Sequence, residues 1–495
     1  MVRQLLVESC LIAAAGAALG VLVARWCIPL LLRLSPEQVP DVGTIGVDPR
    51  VVLFVGLISL LAVALFGSWP AVLASRSAPA AAIKAAGPSL AGTPGAGLRK
   101  LLIAVEAGLA VLLLTAAGLF AKSFARLAQV DLGFDPRGVL AMRLSLPSRA
   151  YSAPEPVTVF AQRLGLALGS LPGVDAVGVI SSLPLSGTWA ADDFTIAGRP
   201  PLKTSETPSA QYRVVNPAYF QAMAVPLVAG RVFGEGDRLE TRPVAIVNKA
   251  MAARFWPHAS PLGAHLKLGG YAPAGGDAEV VGVVGDVKHL QIDEEPTYDV
   301  YVPLRQASTG YLPYLVNGMW WVVRSAGRPG ALAAPVRAAV RAADPDVATS
   351  RMAPLSRFVG DAVALRRFNA WLAGVFGAAA VLLAALGIYG VIAFSVTQRQ
   401  REIGLRMAFG ARPAGILRLV ITQGLTLAIA GVAGGVLASL LLTRLTARLL
   451  YGIGANDAAT LWQAACVLLG TALLACWLPA RRAASVDPMV TLRHE

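Results

Sequence analysis

The chain has 495 residues, of which 56% are hydrophobic and 15% charged, and it carries a formal charge of +14. A mean hydropathy of +0.61 excludes an ordinary soluble domain and defines an integral membrane protein. The basic residues lie on loops beside apolar runs, with no stripe of interleaved aromatics, so the charge points to orientation in a lipid bilayer and not to nucleic acid.

The first apolar run, Leu5 to about Val23, is long enough to cross a bilayer. Its length, the early Glu8 and a second run behind it mark a retained helix, not a cleaved leader. A linker with Pro29, Pro36, Pro40, Asp41 and Asp48 precedes a second predicted span at Val51–Leu73. A third covers Leu101 to about Ala121, and three more are predicted at Phe368–Val396, Ile416–Thr443 and Ala459–Leu478. Six spans with the N-terminus inside place the loop at 76–100, the segment at 397–418 and the tail from Arg481 in the cytoplasm, each rich in Arg or Lys. The four cysteines, Cys10, Cys27, Cys466 and Cys476, sit within or beside apolar runs, so no disulfide framework or CxxC metal site is indicated.

An internal repeat links the two ends. Val2–Ala24 matches Leu417–Ser439 without a gap, Gly16 falling on Gly431 and Gly20 on Gly435. Asp48 aligns with Asp457, and the exits at Pro70–Pro79 and Pro479–Pro488 share both prolines, which favours a duplication. The second copy is preceded by an outside domain, a span and a basic segment. The first begins where such a segment ends, so residue 1 reads as an internal start or the first copy as a degenerate one.

The stretch from 126 to 365 reads as a mixed α/β domain on the outside. Short β-branched runs at Ala176–Ile180, Val244–Val247, Val280–Val284 and Trp320–Val323 alternate with helical spacing at Pro154–Leu171 and Pro329–Ala343. Within the basic segment Thr397–Arg418, Glu402 and Arg406 share one helical row in the favoured order for an ion pair. Leu405 and Phe409 lie on one flank of that row, Ile403 and Met407 on the other, and Gly410 before Pro413 supplies a stop. This reads either as a short helix seated in a partner's groove or as an ordinary positive-inside loop.

Enzyme motifs are missing. There is no GxxxxGK[ST] loop, no HExxH and no GxSxG. Gly282–Val287, GVVGDV, reads as strand and turn, Asp293-Glu294-Glu295 as a solvated turn, and Trp320-Trp321 as core or interface. Glu106, inside the third span, is a functional suspect by its position, although its closeness to Lys100 favours an interfacial or helix-packing role.

Several of these segments together resemble the MacB/FtsX-type ABC permeases. REIGLRMAFGARPAGILRL, Arg401 to Leu419, is similar to the family's cytoplasmic coupling segment, and Ala385–Arg406 to the junction from span to coupling helix. Val215–Phe233, Val244–Leu266 and Val280–Leu304 resemble recurrent segments of the MacB-like periplasmic core.

The resemblance implies a helical membrane protein with six transmembrane helices and one inserted α/β extracytoplasmic domain. Residues 1–80 would be the last two helices of a truncated first FtsX-like repeat and 81–100 a cytoplasmic linker, with the third transmembrane helix at 101–125 and the periplasmic core at 126–365. Residues 366–495 would form the second permease domain, with its coupling helix at 399–412.

By position, Arg401, Glu402, Gly404, Leu405, Arg406, Gly410 and Arg412 would meet a cassette ATPase supplied in trans. ATP would be bound by that partner, and the chain itself would hold no cofactor. A second permease half or a second copy, and a periplasmic adaptor, are the further partners the resemblance admits, in a bacterial inner membrane with both termini cytoplasmic. Export by mechanotransmission is the implied activity. An FtsX-like role in controlling cell-wall hydrolases, a secondary transporter, and a membrane-anchored sensor or enzyme are the alternatives.

Overall fold

The computed structural model describes residues 2–34, 46–64, 96–188, 190–199, 207–269, 277–446 and 457–485. Two compact units result: one joins Met1–Arg126 to Ala364–Glu495, the other is Leu127–Val363.

The first unit opens with α1 (Val2–Leu34) and α2 (Pro49–Val63), which pack on each other. Asp48 starts α2 as an N-cap, its Oδ1 accepting from the Val51 N–H at 2.9 Å, with Pro49 at the first helical position. α3 (Ala96–Leu127) follows and leads into the second unit.

That unit is built on β1 (Val139–Ser145), α4 (Pro154–Gly169) and β2 (Val174–Ile180), and is completed far along the chain by another strand-helix-strand. Between them lie β3 (Ala191–Ile196), β4 (Ser209–Val215), α5 (Tyr219–Met223), β5 (Leu227–Gly230), β6 (Val244–Asn248), α6 (Lys249–Phe255), β7 (His265–Leu268), β8 (Ala278–Val284), β9 (Asp299–Pro303) and α7 (Leu312–Val316). The closing elements are β10 (Met319–Ser325), α8 (Ala333–Ala343), β11 (Ala348–Pro354) and α9 (Leu355–Ala362).

The strand order β11-β1-β10-β2, antiparallel at every pairing, is that of two interlocked β-α-β units. Period-two alternation explains its two faces. Leu140, Met142, Val177, Val179, Trp321 and Val323 point to the face covered by α4 and α8, through Phe160, Leu164, Val336 and Val340. Val139, Ala141, Trp320 and Val322 point to the other, under α5 and Leu355 of α9. Gly178 permits the α5 approach, since a Cβ there would lie 3.0 Å from the Tyr219 Cα. The inserted strands close on themselves in the order β4-β3-β7-β8-β6-β9, β9 returning in parallel to β4. Phe194, Tyr212, Val247, Leu266, Val280 and Val300 continue the α4-side core into this ring.

The chain returns to the first unit through α10 (Ala364–Gln398), α11 (Gln400–Ala408), α12 (Pro413–Thr446) and α13 (Ala458–Ala484). Among the described residues five helices are long and apolar enough to cross a membrane, at Val7–Leu31, Lys100–Leu127, Ala364–Gln398, Pro413–Leu442 and Ala458–Ala484. The remaining expected span, Val51–Leu73, is helical over Pro49–Val63, and its residues from 65 on lie outside the described set.

Small residues bring α3 against α12. A Cβ on Gly108 would stand 3.2 Å from the Gly431 carbonyl oxygen, and one on Gly435 would stand 2.8 Å from Val111 Cβ. Such approach is how membrane helices gain packing without a hydrophobic driving force. Among the described residues, a Cβ on the matching Gly16 or Gly20 of α1 would meet nothing within 4 Å.

Candidate functional site

The basic segment forms α11, set off from α10 by a single residue. Arg399, at φ −104° and ψ 14°, donates its N–H to the carbonyls of Ser395 and Val396, and its own carbonyl accepts from the Ile403 N–H at 2.9 Å. The far end is closed by Gly410 at φ +91°. There the Gly410 N–H reaches the Met407 carbonyl (3.0 Å) and the Ala411 N–H the Arg406 carbonyl (2.9 Å). This double bond pattern is a Schellman stop, and it needs a residue free to take the left-handed conformation. Pro413 then opens α12.

The two apolar flanks part ways. Ile403 is buried and Met407 half-buried, against a cluster of Ile392, Val396, Ile416, Val420, Ala480 and Ala483 from α10, α12 and α13. Leu405 is 46% and Phe409 88% exposed. Between the flanks, the Arg406 guanidinium donates to Glu402 Oε1 at 2.6 Å, with both side chains about half exposed. Gly404 is buried, Arg412 is exposed, and Arg401 falls in α11 with its side chain outside the described residues. The helix is thus held by one flank and presents the other, with an ion pair along the ridge.

Glu106 lies apart from this helix. It is partly exposed on α3 with its carboxylate against Gly387 of α10.

The Leu127–Val363 unit contains a buried polar cluster on the outer face of the ring. Arg213 of β4 and Asp299 of β9 are fully enclosed, with Nε to Oδ1 at 3.6 Å. None of the Arg213 guanidinium nitrogens makes a hydrogen bond among the described residues. His289 Nε2 is 3.0 Å from the Tyr301 hydroxyl and 4.0 Å from Asp299 Oδ2. Asn248 ties the cluster to the segment that covers it, donating to Asp286 Oδ1 (2.8 Å) and the Thr297 carbonyl (2.7 Å) and accepting from the Asp299 N–H (3.1 Å).

Burial pushes the Asp299 carboxyl up to about 7 against the pull of Arg213. Burial, with the Arg213 charge, holds the His289 imidazole well below its ordinary value. The cluster is fully enclosed and away from solvent, which suits a structural centre. Sequence reading passed over it, since a lone Arg in a strand reads as solvent-facing. Its one signal is register, because Arg213 shares a face with Val215 and Asp299 with Tyr301 on paired strands. Among the described residues no group of three or more His, Cys, Asp or Glu could hold a metal.

A polytopic membrane protein with a two-part α/β domain set between its helices is the class these features define. Residues 110–346 match the MacB-like periplasmic core domain, and residues 374–488 match the FtsX-like permease C-terminal domain. The chain belongs to the MacB/FtsX-type ABC transporter permeases.

It is 26% identical over 317 residues to the macrolide export ATP-binding/permease protein MacB of Marinobacter nauticus, covering 63% of this chain and 47% of that one. It is 24% identical over 321 residues to the uncharacterised ABC transporter permease YknZ of Bacillus subtilis, covering 59% and 74%. The chain thus spans about half the length of the Marinobacter protein. Among solved structures, the periplasmic region of MacB from Actinobacillus actinomycetemcomitans aligns at 11% identity and a TM-score of 0.29, over 46% of this chain and 94% of that one.

Proposed function

We propose that the chain is the permease subunit of an ABC export system, coupling ATP hydrolysis by a separate cassette protein to movement of the Leu127–Val363 domain. The observation that carries this reading is the division of α11 into an anchored flank and a presented one. Ile403 and Met407 tie the helix to α10, α12 and α13, so a push on Leu405, Phe409, Glu402 or Arg406 is delivered to three membrane helices at once. α10 runs directly from the end of the domain at Val363 to α11. These 495 residues contain no phosphate-binding loop, and in this reading the nucleotide is bound by the cassette protein.

The work is mechanotransmission, done as a pair with a second permease half or a second copy. The protein sits in a bacterial inner membrane with α11 and both termini on the cytoplasmic side. The MacB-like core favours export over an FtsX-like control of cell-wall hydrolases.

Pull-down from detergent with the cassette ATPase encoded nearest to the chain tests the proposal. Retention of the ATPase and stimulation of its hydrolysis are expected. Failure to retain it, with the chain folded, contradicts the coupling role.

A further inference from the structure

Asp48 and Asp457 occupy the same place in the two copies of the repeat, each immediately before a helix, yet their carboxylates do different things. Asp48 caps its own helix through the Val51 N–H. Asp457 makes no side-chain cap to α13. Its Oδ2 instead accepts from the Lys122 ammonium of α3 at 2.6 Å and from the Thr460 hydroxyl at 2.5 Å.

The residue matching Thr460 in the first copy is Val51, which has no hydroxyl to offer. Gly118, one turn before Lys122 on α3, completes the contact, since a Cβ there would stand 2.6 Å from Thr460 Cγ2. Lys122 also holds the Asp457 carboxyl below the ordinary carboxylate range, with help from Thr460, and Arg126 adds its charge from the next turn of α3. The contact sits at the end of α3 from which the chain enters the Leu127–Val363 domain.

We infer that Asp457 is a two-position latch: bound to Lys122 and Thr460 it fixes the domain-side end of α3 to the start of α13, and released from Lys122 it returns to capping α13 as Asp48 caps α2. A carboxylate that leaves the Lys122 ammonium for a backbone N–H gains a weaker bond that offsets part of the loss, so the joint can open without unfolding either helix. The released position is the one the first copy displays. In the transport cycle the latch would decide whether α3 moves with α12 and α13 or apart from them. That role in the cycle rests on the permease reading above, whereas the latch itself is tested without any partner.

The experiment uses the full chain in nanodiscs, with its four cysteines replaced and spin labels at the exposed positions Ala125→Cys and Gln463→Cys. Pulsed dipolar spectroscopy should give a single short distance. Lys122→Met and Asp457→Asn should each add a second population at longer distance, and the reversed pair Lys122→Asp with Asp457→Lys should restore the single one. Asn still caps a helix, so the change in Asp457→Asn does not come from a frayed α13. An unchanged distance in either neutralised variant overturns the latch, as does broadening that the reversed pair leaves in place. Pull-down of the cassette ATPase is run in parallel. Loss of the short distance with the ATPase still bound isolates the latch, and loss of binding in the unsubstituted chain removes the permease reading while the distance result stands.

Discussion

Arg213 shows how much a single residue decides in the outer domain. A guanidinium enclosed with one carboxylate at 3.6 Å costs more to desolvate than the pair returns unless both members stay. Arg213→Met alone should therefore destabilise the Leu127–Val363 unit by about 3–5 kcal/mol. Arg213→Met with Asp299→Leu should recover most of that loss, read by hydrogen exchange of the β4 and β9 amides in the full chain.

The pH dependence has two opposed parts. The folded Asp299 is raised to about 7, so its contribution is fully present below the unfolded carboxylate range and is lost as pH rises through 7. The folded His289 lies below 6.5, so its contribution is present above that value and lost as pH falls. Below pH 6.5 the two slopes oppose each other, and the unsubstituted domain should change less with pH than either single variant. His289→Gln should leave stability rising as pH falls from 7 towards 4, and Asp299→Asn should leave it falling below 6.5. Exchange rates corrected for intrinsic chemistry measure both, and equal slopes in the two variants would show that neither group titrates as described.

The elements were legible in the sequence to the extent that their signals are local. The β-branched runs of β2 and β10, the Pro154 start of α4 and the Glu402 to Arg406 spacing are all carried within one or two turns of chain. Ring closure was not, because β9 returning to β4 is a pairing over nearly 90 positions with no local mark. Nor could periodicity say which apolar flank of α11 is buried. Leu405 with Phe409 and Ile403 with Met407 are equivalent in the sequence, and only the placement of α10, α12 and α13 separates them.

The exposed ion pair on α11 contributes about 0.3–0.5 kcal/mol, too little to hold the fold. Glu402→Lys or Arg406→Glu should accordingly leave thermal stability within about 1 °C while abolishing ATPase stimulation. Unchanged stimulation in both would remove these residues from the docking surface. Gly410→Ala forces a Cβ into the left-handed region at φ +91° and should cost about 1 kcal/mol. Its effect should be confined to faster amide exchange at Ala408–Ala411. Exchange spreading along α12 instead would mean that the stop is not a local device.

At the scale of the whole molecule, the duplicated ends are the feature the sequence carried furthest. The match of Gly16 with Gly431 and of Asp48 with Asp457 was visible from spacing alone. What the two copies do with those residues required the structure. In one the glycines receive α3 and the aspartate holds Lys122, while in the other a Cβ on either glycine would meet nothing within 4 Å among the described residues and the aspartate caps its own helix. Identical residues were given different work by the helices packed on them, which no reading of one strand of sequence reports.

The central claim is that α11 is where an ATPase takes hold of this chain, and its presented flank offers the most direct test. The unsubstituted chain, Leu405→Asp/Phe409→Asp and Ile403→Asp would be purified in detergent with the neighbouring cassette ATPase, and both retention and hydrolysis measured. The account predicts that the presented-flank variant stays folded and loses the ATPase, because among the described residues neither Leu405 nor Phe409 belongs to the cluster that seats α11. It predicts that Ile403→Asp loosens α11 from the cluster and loses stimulation through instability. An ATPase retained and stimulated as before by the Leu405→Asp/Phe409→Asp chain would contradict the account.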